Sequence, residues 1–155
     1  MQEGLDAEPR SMPVFLGVDH VDARVPSLTA VEAFYDRLMP ELGLTQKKHS
    51  HVDAAGDWHG VDHAHAANVA EYYEEAPPDG AARFIGIIED VSMSVVRTRI
   101  AFRVESRAEL EAWEPKLRAC GARGIDRSAD MDAYPAIFFE DPVGTKLEIC
   151  ARDPR

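Results

Sequence analysis

Cysteine is scarce: the 155 residues hold only Cys120 and Cys150. Neither sits in a C-x-x-C or other metal-type spacing, which removes a disulfide framework and a thiolate metal site and reads as a reduced, cytoplasmic protein. Basic residues are also in short supply. Seventeen Lys and Arg stand against 28 Asp and Glu, for a net charge of −11, and the cations are scattered rather than gathered in a stripe. Such a surface repels phosphate backbones and anionic lipid, so nucleic acid and membranes are poor partners. No apolar run reaches the roughly 18 residues of a membrane span, and the acidic start MQEGLDAEPRSM lacks the cationic and apolar parts of a signal peptide. Residues 1–12 are expected to form a flexible tail.

What is present is globular in kind, with 45% hydrophobic and 29% charged residues, well away from the composition of disordered chains. One domain over residues 13–152 is expected, large enough to bury about 70% of its unfolded surface.

The chain repeats itself. Residues 20–38 align with 99–117 at a constant offset of 79, with identical pairs at Arg24/Arg103, Val25/Val104, Ser27/Ser106, Glu32/Glu111, Ala33/Ala112 and Leu38/Leu117. The punctuation repeats as well. In the first copy an apolar strand, Val14 to Val25, ends at Pro26 and Ser27. Thr29 and Glu32 then read as a T-x-x-E capping box, and Val31, Phe34, Tyr35, Leu38 and Leu42 recur at helical spacing up to Gly43. In the second, Thr98 to Val104 is the strand and Ser106 with Glu109 the cap. Leu110, Trp113, Leu117 and Cys120 form the buried stripe, and Pro115 must kink the helix.

Three short strands are expected after each helix: 44–49, 68–74 and 84–89 in the first half, and 122–125, 136–140 and 146–151 in the second. The class is therefore α+β, with two βαβββ modules, about 13–90 and 97–152, pairing to form a concave cleft. Segment 50–67 is long, polar and loop-like, as lids are.

Three stretches resemble the glyoxalase/bleomycin-resistance/extradiol-dioxygenase (vicinal oxygen chelate) superfamily. They are VDHVDARVPSLTAVEAFYDRLMPELGL, RIAFRVES and YPAIFFEDPVGTKLEIC. They are similar to that family's first-strand His segment, its H-[IL]-A-F strand and its F-x-D-P-x-G-x-x-[LI]-E ending. The resemblance implies a cleft whose His and Glu side chains hold one divalent metal, Fe, Mn, Ni or Zn, with open positions for vicinal oxygens of a substrate.

Carried over by position, His20 matches the first-strand ligand and Glu148 the final carboxylate. Arg99 stands where the second His belongs, and a guanidinium has no lone pair to give. Gly86 aligns with a further ligand position, with Glu89 the nearest carboxylate. Two readings stay open: a metal on His20 and Glu148, or no metal, with Arg99 binding anionic oxygens directly, Glu148 orienting it and His20 acting as base or donor. Tyr134 and Cys150 join Arg99 as candidate ligand contacts. His59 and His63, four apart, also suggest a metal, but the intervening residues do not read as a helix and a solvated lid is the default.

The expectation is thus a cytoplasmic homodimer that binds or converts a small anionic or vicinal-oxygen compound, as an enzyme of lyase or dioxygenase-like kind. The rivals are a non-catalytic binder of the bleomycin-resistance type, and a metal-dependent enzyme whose missing ligand comes from segment 50–67 or from a partner chain.

Overall fold

The computed structural model describes residues 18–76, 82–94 and 96–152; the tail 1–12 and the start of the first strand lie outside the described residues. The first module runs β1 His20–Val25, α1 Leu28–Glu41, β2 Gln46–Val52, β3 Trp58–His59, β4 Val69–Tyr73 and β5 Phe84–Glu89. The second runs β6 Arg99–Val104, α2 Arg107–Glu111, α3 Trp113–Cys120, β7 Arg123–Arg127, β8 Ala136–Glu140 and β9 Lys146–Ala151. Each module forms one sheet, ordered β1-β5-β4-β2-β3 and β6-β9-β8-β7.

The offset of 79 is a structural repeat. In each sheet the first and last strands pair in parallel, so that Asp22 faces Gly86 and Ala101 faces Glu148 across the ladders. Gly86 and Glu148 are therefore equivalent positions of the two modules. Both helices turn their periodic stripes inward. Val31, Phe34, Leu38 and Met39 of α1 meet Leu110, Trp113 and Leu117 of the second module in one apolar cluster. Three polar ties join the modules among the described contacts of α1: the Tyr35 hydroxyl donates to Asp141 Oδ2 at 2.9 Å, the Arg37 guanidinium donates to the Cys120 carbonyl at 3.0 Å, and Lys116 pairs with Glu41 at 2.6 Å.

The cap of α1 differs from the expected T-x-x-E box. Ser27, not Thr29, is the N-cap, accepting from the Ala30 amide at 3.3 Å, and Glu89 of β5 accepts from the Leu28 amide at 2.8 Å. Glu32 is drawn away by Lys47 and His49 of β2. A cation across the sheet outbid the local cap. In the second module the expected cap forms: Ser106 accepts from the Glu109 amide, and the Glu109 carboxylate accepts from the Glu105 amide. Pro115, which has no N–H for the Glu111 carbonyl, does more than kink the helix; the stretch divides at Ala112 into α2 and α3.

Candidate functional site: a cleft between two edge strands

β1 and β6 are edge strands of their sheets, and a cleft of about 730 Å³ opens between them. Its apolar wall includes Leu42, Leu44, Phe84 and Phe102, and its polar groups include His20, Arg83, Arg103, Tyr134 and Arg152. Arg83, Arg103 and Arg152 line it, with Asp19 as the acidic residue of the lining, and the Arg83 guanidinium is paired with Glu74 at 3.1 Å.

His20 is held rather than loose. Its ring stacks on Phe84 with centroids 4.6 Å apart, Nδ1 lies 2.8 Å from Asp19 Oδ2, and Nε2 lies 4.0 Å from Asp22 Oδ2. The hydrogen bond to Asp19 raises the imidazole's pKa above its ordinary value. Tyr134 and Cys150, both expected as contacts, do line the cleft. The Cys150 thiol is buried, and its pKa is pushed up by burial and by Glu148.

Arg99 and Glu148 are not among the side chains lining this cleft. The Arg99 guanidinium lies 3.8 Å from Glu148 Oε2 and packs over the Phe138 ring at 4.5 Å. The other Glu148 oxygen accepts a short hydrogen bond from Tyr134, which raises the tyrosine's pKa. Glu148 thus stands one residue behind the cleft wall, with Tyr134 between. The cation at the cleft is instead Arg103, four residues along β6 from Arg99 and on the same face by strand alternation. Arg152 just past β9 stacks on the Tyr134 ring at 4.3 Å. The spacing Arg99-x-x-x-Arg103 was the signal that could have found it.

The donor set of one chain does not fit a metal at the expected place. Both oxygens of Glu148 are engaged by Tyr134 and Arg99, and the aligned position Gly86 has no room for a ligand. A Cβ there would lie 2.4 Å from Asp22 Oδ1, so the Asp22 carboxylate fills the space. Glu89 faces the other way, onto α1. Across the ladder from Gly86 stands Glu71, buried and bonded by the Ser50 hydroxyl at 2.6 Å and the Tyr73 hydroxyl at 2.7 Å. Burial, with the bond to Glu71, pushes the Tyr73 hydroxyl to about 12. No sequence motif marked this trio, because Ser50 and Glu71 meet only through the β2–β4 register.

Segment 50–67 is not a lid on the cleft. It builds the end of β2 and the short strand β3, at the sheet edge opposite β1. None of its residues lines the cleft.

Paired βαβββ modules with a cleft between them define the class of fold. The chain belongs to the Glyoxalase/Bleomycin resistance protein/Dioxygenase superfamily, whose family model matches residues 17–149. No curated protein matches the sequence. Among solved structures it is similar to a glyoxalase/bleomycin resistance protein from Albidiferax ferrireducens T118, at 18% identity and TM-score 0.57 over 87% of this chain and 98% of that one. It is also similar to the fosfomycin resistance protein FosX from Listeria monocytogenes, in a variant complexed with Mn(II) and 1S,2S-dihydroxypropylphosphonic acid. That likeness has 19% identity and TM-score 0.52 over 89% of this chain and 93% of that one.

Proposed function

We propose that the protein takes a small organic anion into the cleft between β1 and β6. The carrying observation is the placement of Arg83, Arg103 and Arg152 around one apolar-walled pocket in a chain of net charge −11. Planar guanidinium groups match carboxylate, phosphonate or enolate oxygens. Leu42, Leu44, Phe84 and Phe102 take the carbon part of the ligand. His20 in its protonated form donates to the bound oxygens and returns a proton when the ligand reacts, and in its neutral form it is the group that removes one. The phosphonic acid held by FosX is an anion of this chemistry. The two free thiols suit the reducing cytoplasm.

Calorimetric titration with a panel of small phosphonates, phosphate and dicarboxylates tests the reading. Binding to the parent should weaken at least about tenfold in Arg103→Ala and Arg152→Ala, the loss of one charge-assisted pair. Equal affinity in all three proteins would sink the proposal.

A second reading is favoured by the Mn(II) in the FosX structure. Here the protein is a homodimer, and a second copy supplies the donors that one chain does not bring to His20. A dimer by light scattering, with about one metal equivalent lost in both His20→Ala and Glu148→Ala, would decide for it. Turnover that survives Glu148→Ala and removal of metal, while falling in His20→Ala, would decide for a cleft working without metal.

A further inference from the structure

The first strand of each module is open on one side. In β1 the Asp19 carbonyl accepts from the Phe84 amide at 3.3 Å and the Val25 carbonyl from the Asp90 amide at 2.8 Å. A strand in a parallel ladder turns alternate residues toward its neighbour. Asp19, Val21, Ala23 and Val25 therefore face β5, and His20, Asp22 and Arg24 turn their backbone N–H and C=O groups the other way. The second module repeats this. The Ala151 amide donates to the Pro135 carbonyl at 3.0 Å, which turns Ala151 and Ile149 toward β8 and leaves Cys150 and Glu148 facing β6. Glu148 stands opposite Ala101, so its ladder partners are Ile100 and Phe102, and Arg99, Ala101 and Arg103 turn their backbones away from β9. Among the described residues no strand pairs with the open side of β1 or β6. No loop or side chain bonds the backbone of these six residues, all of them exposed.

The two open edges face each other. His20 and Val21 from the start of β1 meet Phe102 and Arg103 from the end of β6 in the cleft. A smaller hollow of about 350 Å³ takes Arg24 from the end of β1 and Thr98 from just before β6. The strands thus run antiparallel across one gap, and Val21 and Ile100 border both hollows. Five steps of about 3.3 Å make that gap roughly 17 Å long, against about 10 Å for an extended tripeptide.

We propose that the anion taken by this cleft is a short extended peptide with a free C-terminal carboxylate, held as an added strand whose amides bond the open edges of β1 and β6. This rests on the anion reading of the cleft and narrows it to amide-bearing carboxylates. The charge at one end of the gap decides which strand fits. Arg83 is engaged by Glu74, which leaves Arg103 and Arg152 of the lining for the terminal carboxylate. An apolar last side chain meets Leu42, Leu44 and Phe102.

The test is calorimetric titration of the full-length protein with three probes. They are acetyl-dialanyl-leucine, the same chain with its last amide replaced by an ester, and 4-methylpentanoate, which keeps the carboxylate and the branched end without any amide. The peptide should bind at least about tenfold tighter than 4-methylpentanoate, and the ester, which lacks one N–H donor, should lose about three- to tenfold. Arg103→Ala should weaken the peptide and 4-methylpentanoate alike. Amide hydrogen exchange reads the edges directly: the Asp22 and Ala101 amides should slow at least about tenfold when the peptide saturates the protein. A peptide that binds no tighter than 4-methylpentanoate, or that leaves exchange at Asp22 and Ala101 unchanged, overturns the added strand and leaves the anion reading standing. Binding of neither compound removes both.

Discussion

At the scale of single residues, the proposed function makes His20 the group that sets the pH behaviour of the cleft. Its hydrogen bond to Asp19 raises its pKa above the ordinary histidine value, and the protonated ring is the form that attracts an anion. Anion affinity should therefore be full below the ordinary pKa of about 6.5 and fall as pH rises through the raised one. Titrations across that window should show the fall in the parent and none in His20→Gln; a pH-independent parent would remove His20 from the site. Tyr134 acts at one remove. In Tyr134→Phe, buried Glu148 loses its hydroxyl donor and keeps only the longer Arg99 contact. Denaturant unfolding should show a cost of about 1–2 kcal/mol, and the thermal midpoint should fall with it. The same residues show where side-chain chemistry misled. Arg99 carries the aligned position, yet it packs on Phe138 and Glu148, and Arg103 rather than Arg99 lines the cleft.

At the scale of elements, the helix starts discriminate between local and tertiary capping. Ser106 and Glu109 form their box from neighbours in sequence, and Ser106→Ala should cost about 1 kcal/mol. In α1 the equivalent motif is overruled, because Glu32 finds Lys47 and His49 across on β2 while Glu89 from β5 covers the free amide of Leu28. Thr29→Ala should then leave stability within about 0.5 kcal/mol of the parent, whereas Ser27→Ala should show a measurable loss in the same denaturant series. Strand positions were read more reliably than caps. Phe84–Glu89, Ala136–Glu140 and Lys146–Ala151 lie where alternation and turn residues put them. β3 was missed because two residues, Trp58 and His59, are too few to show a period.

At the scale of the molecule, Asp141 joins the modules. It is fully buried at 0% exposure, accepts from the Val143 and Thr145 amides, and takes the Tyr35 hydroxyl from α1. Asp141→Ala strands two amides and a hydroxyl at once, for a loss of about 3 kcal/mol or more. Tyr35→Phe removes only the crossing bond and should cost about 1 kcal/mol. A denaturation series in which both variants cost the same would mean that the tie between modules, not the turn, is what Asp141 supports. Among the described residues no helix is long and apolar enough to cross a membrane.

Local periodicity determined the βαβββ repeat, the inward stripes of both helices, the break near Pro115 and the last two strands, since these depend on neighbours a few residues apart. The tight turn at Asp141 to Gly144 was legible for the same reason, through its Pro and Gly. Which edges face each other was decided only by the tertiary structure. That choice set Arg83, Arg103 and Arg152 around one pocket, put Tyr134 in front of Glu148, and laid Asp22 over Gly86. It also set His59 beside His51 and His65 rather than His63. The physical reason is common to all four. Strand register and sheet order are fixed by burying apolar faces far apart in sequence, and polar side chains on those strands are carried to partners that no local spacing announces.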